Sequence, residues 1–106
     1  MDQAALVYTT WPSVVEAEAA GAALVEAGLA ACVNILPGVR SVYRWQGAVE
    51  RATETVMIVK TRAARTEAVA TVIKARHPYD TPAIMVVPVA GGEPGYLAWI
   101  ASETAD

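Results

Sequence analysis

Hydrophobic and polar residues follow a strand-like and then a helix-like spacing in the first third of the chain. Residues 4–10 are rich in strand formers and precede a Trp-Pro pair, which predicts a first strand. Ser13 and Glu16 have capping-box spacing, with Ser13 accepting from a first-turn amide and Glu16 reaching back. Gly28 is placed to end the helix in a left-handed conformation. Between these signals, small or apolar residues recur at helical spacing: Ala17, Ala20, Leu24 and Ala27.

The middle of the chain predicts a long hairpin. Residues 30–45 form one apolar run that is interrupted at Pro37-Gly38, and we expect one strand with a bulge there, because proline cannot donate to a ladder. After the bulge both faces of the strand mix polar and apolar residues, which predicts an arm that meets another subunit. A turn begins at Gln46-Gly47, and residues 53–61 return as the partner strand.

The last third predicts a helix, a strand and a short final helix. The second helix has its apolar stripe at i, i+3, i+4 and i+7 and stops at residue 76. Residues 84–89 form the fourth strand, at an edge or with Pro88 at its end. Residues 91–95 form a loop, and residues 96–100 form a helix with its apolar face inward. The order predicts an α+β, ferredoxin-like βαββαβ fold in a single domain, residues 1–106.

Composition adds an oligomeric interface to this picture. The chain is 55% hydrophobic and 18% charged over 106 residues, which is more apolar surface than a small monomer hides. A monomer with an alanine-rich surface stays open as the alternative. The net charge of −3 argues against sequence-independent binding of nucleic acid. A lone cysteine, the lack of a signal peptide and the lack of a membrane-spanning run predict a cytoplasmic protein with no membrane partner.

Candidate chemistry concentrates in residues 76–82, which we call the elbow. It holds the only histidine of the chain, His77, with Tyr79 and Asp80 close by. The prolines that follow His77 and Thr81 push both residues out of the helical region. With ligands from another chain, His77 and Asp80 would hold a weakly bound divalent ion. A surface imidazole without metal is the alternative.

A second polar set surrounds the hairpin: Tyr43, Trp45, Glu50 and Lys60. The functional interpretation places it beside the elbow of the same or a neighbouring chain, as an amphipathic pocket. An ordinary salt bridge between Glu50 and Lys60 is the alternative. Cys32 is predicted to be a small buried hydrophobe. We expect no enzyme, because no serine stands in a nucleophile-elbow pattern and the glycine-rich loop lacks the lysine of a phosphate loop.

Several short motifs occur in order over essentially the whole chain, and jointly they resemble the CutA divalent-cation tolerance family. They are Leu29-Ala30-Ala31-Cys32-Val33-Asn34, Pro37-Gly38, Ser41-Val42-Tyr43, Trp45-x-Gly47, Ile58-Val59-Lys60-Thr61, His77-Pro78-Tyr79-x-x-Pro82 and Tyr96-Leu97-x-Trp99-Ile100. The resemblance implies a homotrimer whose long hairpins pair between subunits, and a role in tolerance to divalent metals, copper especially. The family trimer resembles that of the PII signalling proteins. A regulatory sensor of an anionic metabolite or nucleotide, using Lys60, is therefore the alternative function.

The resemblance also implies where metal ligands are found in a family member: a cysteine near the end of the first strand and a His-His pair at the elbow. Here those positions hold Thr9, Arg76 and His77, and Ala83 stands where the family usually has glutamate. We therefore expect an intersubunit cleft for a small ligand or a divalent cation such as Cu²⁺, with His77 as the remaining metal ligand. The elbow side would be His77, Tyr79 and Asp80, and the hairpin side Tyr43, Trp45, Glu50 and Lys60.

Two further functions remain open at this point. An acylphosphatase-like enzyme on the same fold has only Arg40 and Asn34 as loosely placed candidates, and its phosphate loop after the first strand is missing. A trimer that serves as a scaffold for another protein is the other.

Overall fold

The computed structural model describes residues 3–106, so Met1 and Asp2 of the predicted domain lie outside the described residues. The elements follow the predicted order, with one 3₁₀ turn before the second helix. They are β1 (Ala4–Trp11), α1 (Val14–Glu26), β2 (Cys32–Trp45), β3 (Ala48–Arg62), the 3₁₀ turn (Ala63–Arg65), α2 (Thr66–Arg76), β4 (Ile84–Pro88) and α3 (Pro94–Glu103).

The strands form one antiparallel sheet in the order β2-β3-β1-β4. This order with two intervening helices is the ferredoxin-like plan, so the predicted fold class is confirmed. Strand β4 lies at the edge, and Pro88 is its last residue, so the missing N–H of proline interrupts no central ladder.

Helices α1 and α2 cover one face of the sheet, which we call the helix face. Every second residue of β1 is buried there, from Ala5 to Trp11. The core contains large side chains from all these layers: Val7, Trp11, Leu24, Met57, Val59, Val69 and Ile73. Helix α1 lies very close to the sheet at Gly21, where an added Cβ would sit 2.7 Å from Val33 Cγ2. Removing this apolar surface from water is the main stabilising term.

The ends of α1 behave nearly as predicted. Ser13 Oγ accepts from the Glu16 amide at 3.2 Å, and Gly28 adopts a positive φ of 72° just after the helix. The reciprocal half of the capping box differs, because the Glu16 carboxylate accepts from the Ser13 hydroxyl at 3.0 Å. A hydroxyl donates and accepts at once, so both bonds form on one oxygen.

The predicted hairpin and its bulge are both present. The register shifts between Leu36 and Val39, and Gly38 there has a φ of 76°. The Gln46-Gly47 turn has positive φ at both residues, as a two-residue I′ turn requires. This tight turn pairs Trp45 with Ala48 directly, so β3 begins earlier than predicted. The arm makes the molecule 45 Å long but only 25 Å and 21 Å across.

The other face of the sheet, which we call the open face, is covered only at one end, by α3. This helix begins at Pro94, earlier than predicted, because a proline in the first turn has no N–H to lose. Its apolar face is only partly inward: Ile100 is 4% exposed, whereas Tyr96 is 42% and Trp99 39% exposed. Large apolar side chains remain exposed on the uncovered part: Leu36, Tyr43, Trp45, Met85 and Val87.

Candidate functional site

The elbow begins where α2 ends. His77 caps the helix with φ −81° and ψ 136°, the extended conformation that a following proline favours. The side chain of His77 turns inward and is only 8% exposed. The alternative of a surface imidazole is therefore wrong. The elbow folds back over the end of β1 and buries the ring there.

Both nitrogens of His77 have hydrogen-bond partners. Nε2 lies 2.7 Å from the carbonyl oxygen of Thr10, and Nδ1 lies 3.2 Å from the amide nitrogen of Tyr79. Because a carbonyl only accepts and an amide only donates, Nε2 carries the proton and Nδ1 accepts. The ring centroid lies 4.3 Å from Trp11 and 4.9 Å from Tyr79. The neutral imidazole thus fastens the elbow to β1.

Hairpin and elbow enclose a cleft of about 680 Å³ within one chain. Four of the predicted site residues line it: Tyr43 and Trp45 from the hairpin, and Tyr79 and Asp80 from the elbow. The other lining residues are Thr10, Ala52, Glu54, Thr81 and Ala83. The sequence predicted that this cleft lies between subunits, whereas the structure brings these four residues together within a single chain.

The bulge in β2 decides which face Tyr43 and Trp45 occupy. Before it, the odd-numbered Val33 and Ile35 pack against the helix-face core. The extra residue between Leu36 and Val39 reverses the alternation, so Tyr43 and Trp45 project from the open face. Without the bulge these two rings would point away from the cleft.

Negative charge dominates the cleft. Glu54 and Asp80 line it, and no lysine, arginine or histidine of the described residues 3–106 does. Among residues 3–106, neither carboxylate has an ion-pair or hydrogen-bond partner. Burial raises the pKa of the Tyr79 phenol, and the negative charge of Glu54 raises it further.

The sequence interpretation missed Glu54. It is half-buried on β3, two residues before the buried Val56 on the same face. The signal available was the alternation itself, because a carboxylate at this position interrupts the short apolar series Ala52, Val56 and Ile58 on one face of the strand.

Glu50 and Lys60 lie elsewhere in the chain. Glu50 pairs with Tyr43 in the sheet but is exposed and outside the cleft lining. Lys60 is ten residues further along β3, roughly 33 Å away at the usual strand rise, so the alternative of a Glu50–Lys60 salt bridge is wrong. Participation of Lys60 in this cleft requires a neighbouring chain.

Lys60 belongs to a second cluster under α3. Its Nζ donates to the Tyr96 hydroxyl at 2.9 Å and lies 5.3 Å from the ring centroid. The hydrogen bond to Tyr96 raises the pKa of the Lys60 ammonium. Cys32 Sγ lies 4.0 Å from the same hydroxyl and is half-exposed. The prediction of a buried Cys32 is wrong, because its side chain points to the open face at the first residue of β2.

The donor set does not fit a closed copper site in one chain. Within residues 3–106 no three of His, Cys, Asp and Glu come together. Thr9 Oγ1 is buried without a hydrogen-bond partner, Arg76 is exposed, and both nitrogens of His77 are engaged. A threonine hydroxyl and an arginine guanidinium are not ligands that copper prefers.

The N-terminus of α3 is occupied by the protein itself. The Glu93 carboxylate accepts from the amides of Gly95 and Tyr96, both at 3.0 Å, and these bonds lower the pKa of Glu93. The acidic cap leaves this glycine-rich segment unsuited to a phosphate. Among the described residues no helix is long and apolar enough to span a bilayer.

Comparison with known proteins shows one family of similar sequences. The family model for the CutA1 divalent ion tolerance protein matches residues 5–103. The divalent-cation tolerance protein CutA of Archaeoglobus fulgidus is 46% identical over 94 residues, covering 89% of this chain and 91% of that protein. The chloroplastic protein CutA 1 of Oryza sativa is 38% identical over 101 residues, covering 95% of this chain but 57% of that protein.

Solved structures agree over nearly the full length. The crystal structure of CutA from Xylella fastidiosa has a TM-score of 0.94 at 41% identity, covering 97% of this chain and 99% of that one. The structure of the periplasmic divalent cation tolerance protein CutA from Archaeoglobus fulgidus has a TM-score of 0.93 at 42% identity, covering 96% and 99%. The Archaeoglobus fulgidus relative is named for tolerance to divalent cations. The names of two relatives give different compartments, chloroplastic for the Oryza sativa protein and periplasmic for the Archaeoglobus fulgidus structure.

Proposed function

The chain belongs to the CutA1 divalent ion tolerance protein family, and from this premise we propose that it acts in divalent-cation tolerance. In this proposal it is a homotrimer that binds a metal ion or a small ligand between hairpin and elbow, and it acts by binding and not by catalysis. The observation that carries the proposal is the cleft, in which Tyr43, Trp45, Tyr79 and Asp80 converge. Concave sites of this size with a few converging polar groups are typical ligand sites.

The uncovered part of the open face supports the oligomer. Leu36, Met85 and Val87 stay exposed on it, and a stable interface buries roughly 800 Å² of such surface on each partner. Sedimentation equilibrium tests this: we expect a species with three times the 11.1 kDa chain mass. Met85→Asp is expected to yield smaller species, whereas Val15→Asp, on the exposed side of α1, is the matched control. A monomeric wild-type protein would contradict the proposal.

The metal half of the proposal needs its own measurement. His77 as a copper ligand would have to give up its bond to Thr10 or to Tyr79. Equilibrium dialysis with Cu²⁺ compares wild type, His77→Ala and Asp80→Asn. Equal copper affinity of wild type and His77→Ala would eliminate His77 as a ligand, and loss of binding in Asp80→Asn alone would assign the ion to the cleft.

The compartment is a separate proposal. The single cysteine fits a reducing environment, so we propose the cytoplasm. Fractionation of the host cell, with a cytoplasmic and a periplasmic marker followed in parallel, distinguishes the two locations.

A further inference from the structure

The aromatic rings of the cleft stand around unpaired negative charge. Tyr43, Trp45 and Tyr79 all line the cleft and keep large exposed surfaces. Glu54 and Asp80 line it as well and have no basic partner within residues 3–106. A positive charge placed between the two carboxylates would lower their electrostatic free energy, and the faces of aromatic rings attract a cation through their quadrupole.

An anion does not fit the lining that a single chain supplies. The sequence suggested Lys60 as the partner of an anion. Its ammonium donates a hydrogen bond to Tyr96, and it lies six residues from Glu54 along β3, roughly 20 Å away. Bringing a phosphate or carboxylate beside Glu54 and Asp80 would add like-charge repulsion without a compensating bond.

A bare divalent ion uses little of the lining. Calcium and magnesium prefer about six oxygen ligands gathered around one point, and within residues 3–106 no three of His, Cys, Asp and Glu come together. Three rings would have no part in holding such an ion. The volume of about 680 Å³ also suits a molecule of several heavy atoms better than a single ion.

We propose that the hairpin–elbow cleft binds an organic cation, with Glu54 and Asp80 as charge partners and the rings of Tyr43, Trp45 and Tyr79 as the walls. The class is an ammonium or trimethylammonium group on a small carbon skeleton. The inference rests on the proposed function in one respect, that this cleft is the ligand site, and it names the chemical class of the ligand.

The test is calorimetric titration of the purified full-length oligomer with choline. The neutral isostere 3,3-dimethylbutan-1-ol, succinate and Mg²⁺ are the comparison probes. We expect choline to bind with quenching of Trp45 fluorescence, and the neutral isostere and succinate to bind at least about tenfold more weakly, the factor that one lost charge interaction of about 1.4 kcal/mol produces. A bound cation also offsets the charge of Glu54, so the pKa of Tyr79 is expected to fall towards its ordinary value.

Isosteric variants keep the proposal falsifiable. Glu54→Gln and Asp80→Asn are each expected to weaken choline about tenfold, whereas Glu18→Gln, on the exposed side of α1, leaves it unchanged. Thermal unfolding of all three variants verifies that the fold is retained. Choline binding that is insensitive to both cleft variants would overturn the proposal.

The remaining outcomes separate this inference from the proposed function. Binding of Mg²⁺ or Cu²⁺ but not of choline, weakened by the same cleft variants, would overturn the organic cation and keep the cleft as the ligand site. No binding of any probe would overturn both. A cleft filled by a basic side chain of a neighbouring subunit would take up no added cation, and that result would overturn the inference.

Discussion

Replacement of His77 distinguishes two roles of its side chain: a structural lock, which holds the elbow to β1, and a metal ligand. The ring holds the elbow to β1 through the Thr10 carbonyl at 2.7 Å and the Tyr79 amide at 3.2 Å, and it stacks against Trp11 and Tyr79. His77→Ala removes all four contacts. Since the elbow carries Tyr79 and Asp80 into the cleft, the loss is expected to reach the ligand site as well.

The expected size follows from these contacts. Each hydrogen bond contributes about 1 kcal/mol to the free energy of unfolding, and each ring contact about 0.5–1.5 kcal/mol. His77→Ala is therefore expected to cost about 3–5 kcal/mol. The side-chain oxygen of His77→Asn can still accept from the Tyr79 amide, and the longer side chain of His77→Gln can still donate to the Thr10 carbonyl. Each variant is therefore expected to cost about 1 kcal/mol less than His77→Ala, because it keeps one of the two hydrogen bonds.

The assay is urea unfolding followed by circular dichroism at one fixed chain concentration, because an oligomer makes apparent stability concentration-dependent. Lys74→Ala, at an exposed position of the same helix, is the control and is expected to change stability by less than about 0.5 kcal/mol. If His77→Ala unfolds within about 1 kcal/mol of wild type and yet loses copper binding, the lock is refuted and His77 acts as a ligand.

Three further predictions concern other parts of the molecule. Gly21→Ala gains about 1 kcal/mol of helix propensity but presses a methyl group against Val33 Cγ2, which costs about 1–3 kcal/mol. We therefore expect net destabilisation in urea unfolding, and we expect Val33→Ala to relieve it. Additive effects of the two changes would contradict the contact. Tyr79 has a raised folded-state pKa, so its neutral form contributes stability below the usual phenol pKa of about 10, and this is lost as pH rises through the folded value. Glu54→Gln is expected to lower that folded pKa in a phenolate absorbance titration corrected with Tyr79→Phe, and an unchanged titration would show that the Glu54 charge does not reach the ring. Glu93 has a lowered pKa, so its contribution to the attachment of α3 is expected to be complete above the ordinary carboxyl pKa and to be lost as pH falls through the folded-state pKa. The measurement is Trp99 fluorescence, and Glu93→Ala is expected to show the low-pH signal already at neutral pH.

Local signals in the sequence determined the elements and their order. Ser13 and Gly28 mark the two ends of α1, Pro37-Gly38 marks the bulge, and Gln46-Gly47 makes the turn. Each depends on neighbouring residues alone: a hydroxyl that reaches a first-turn amide, or a glycine that adopts positive φ without strain. The βαββαβ order and the ferredoxin-like sheet follow from those elements because few topologies accommodate them.

The content of the site was decided by tertiary structure. The sequence placed chemistry at the elbow and the hairpin, and Tyr43, Trp45, Tyr79 and Asp80 do meet in the cleft. It did not reveal Glu54. Strand alternation tells which residues share a face but not which face a helix or an elbow will cover.

His77 and Lys60 show the same limit from the other side. Whether His77 is a free ligand or a buried lock depends on where the Thr10 carbonyl lies, 67 residues earlier in the chain. Lys60 was grouped with Trp45 by residue type, yet strand length separates them and α3 supplies Tyr96 as its partner. These outcomes depend on contacts between distant segments, which only the packing of helices and elbow around the sheet brings together.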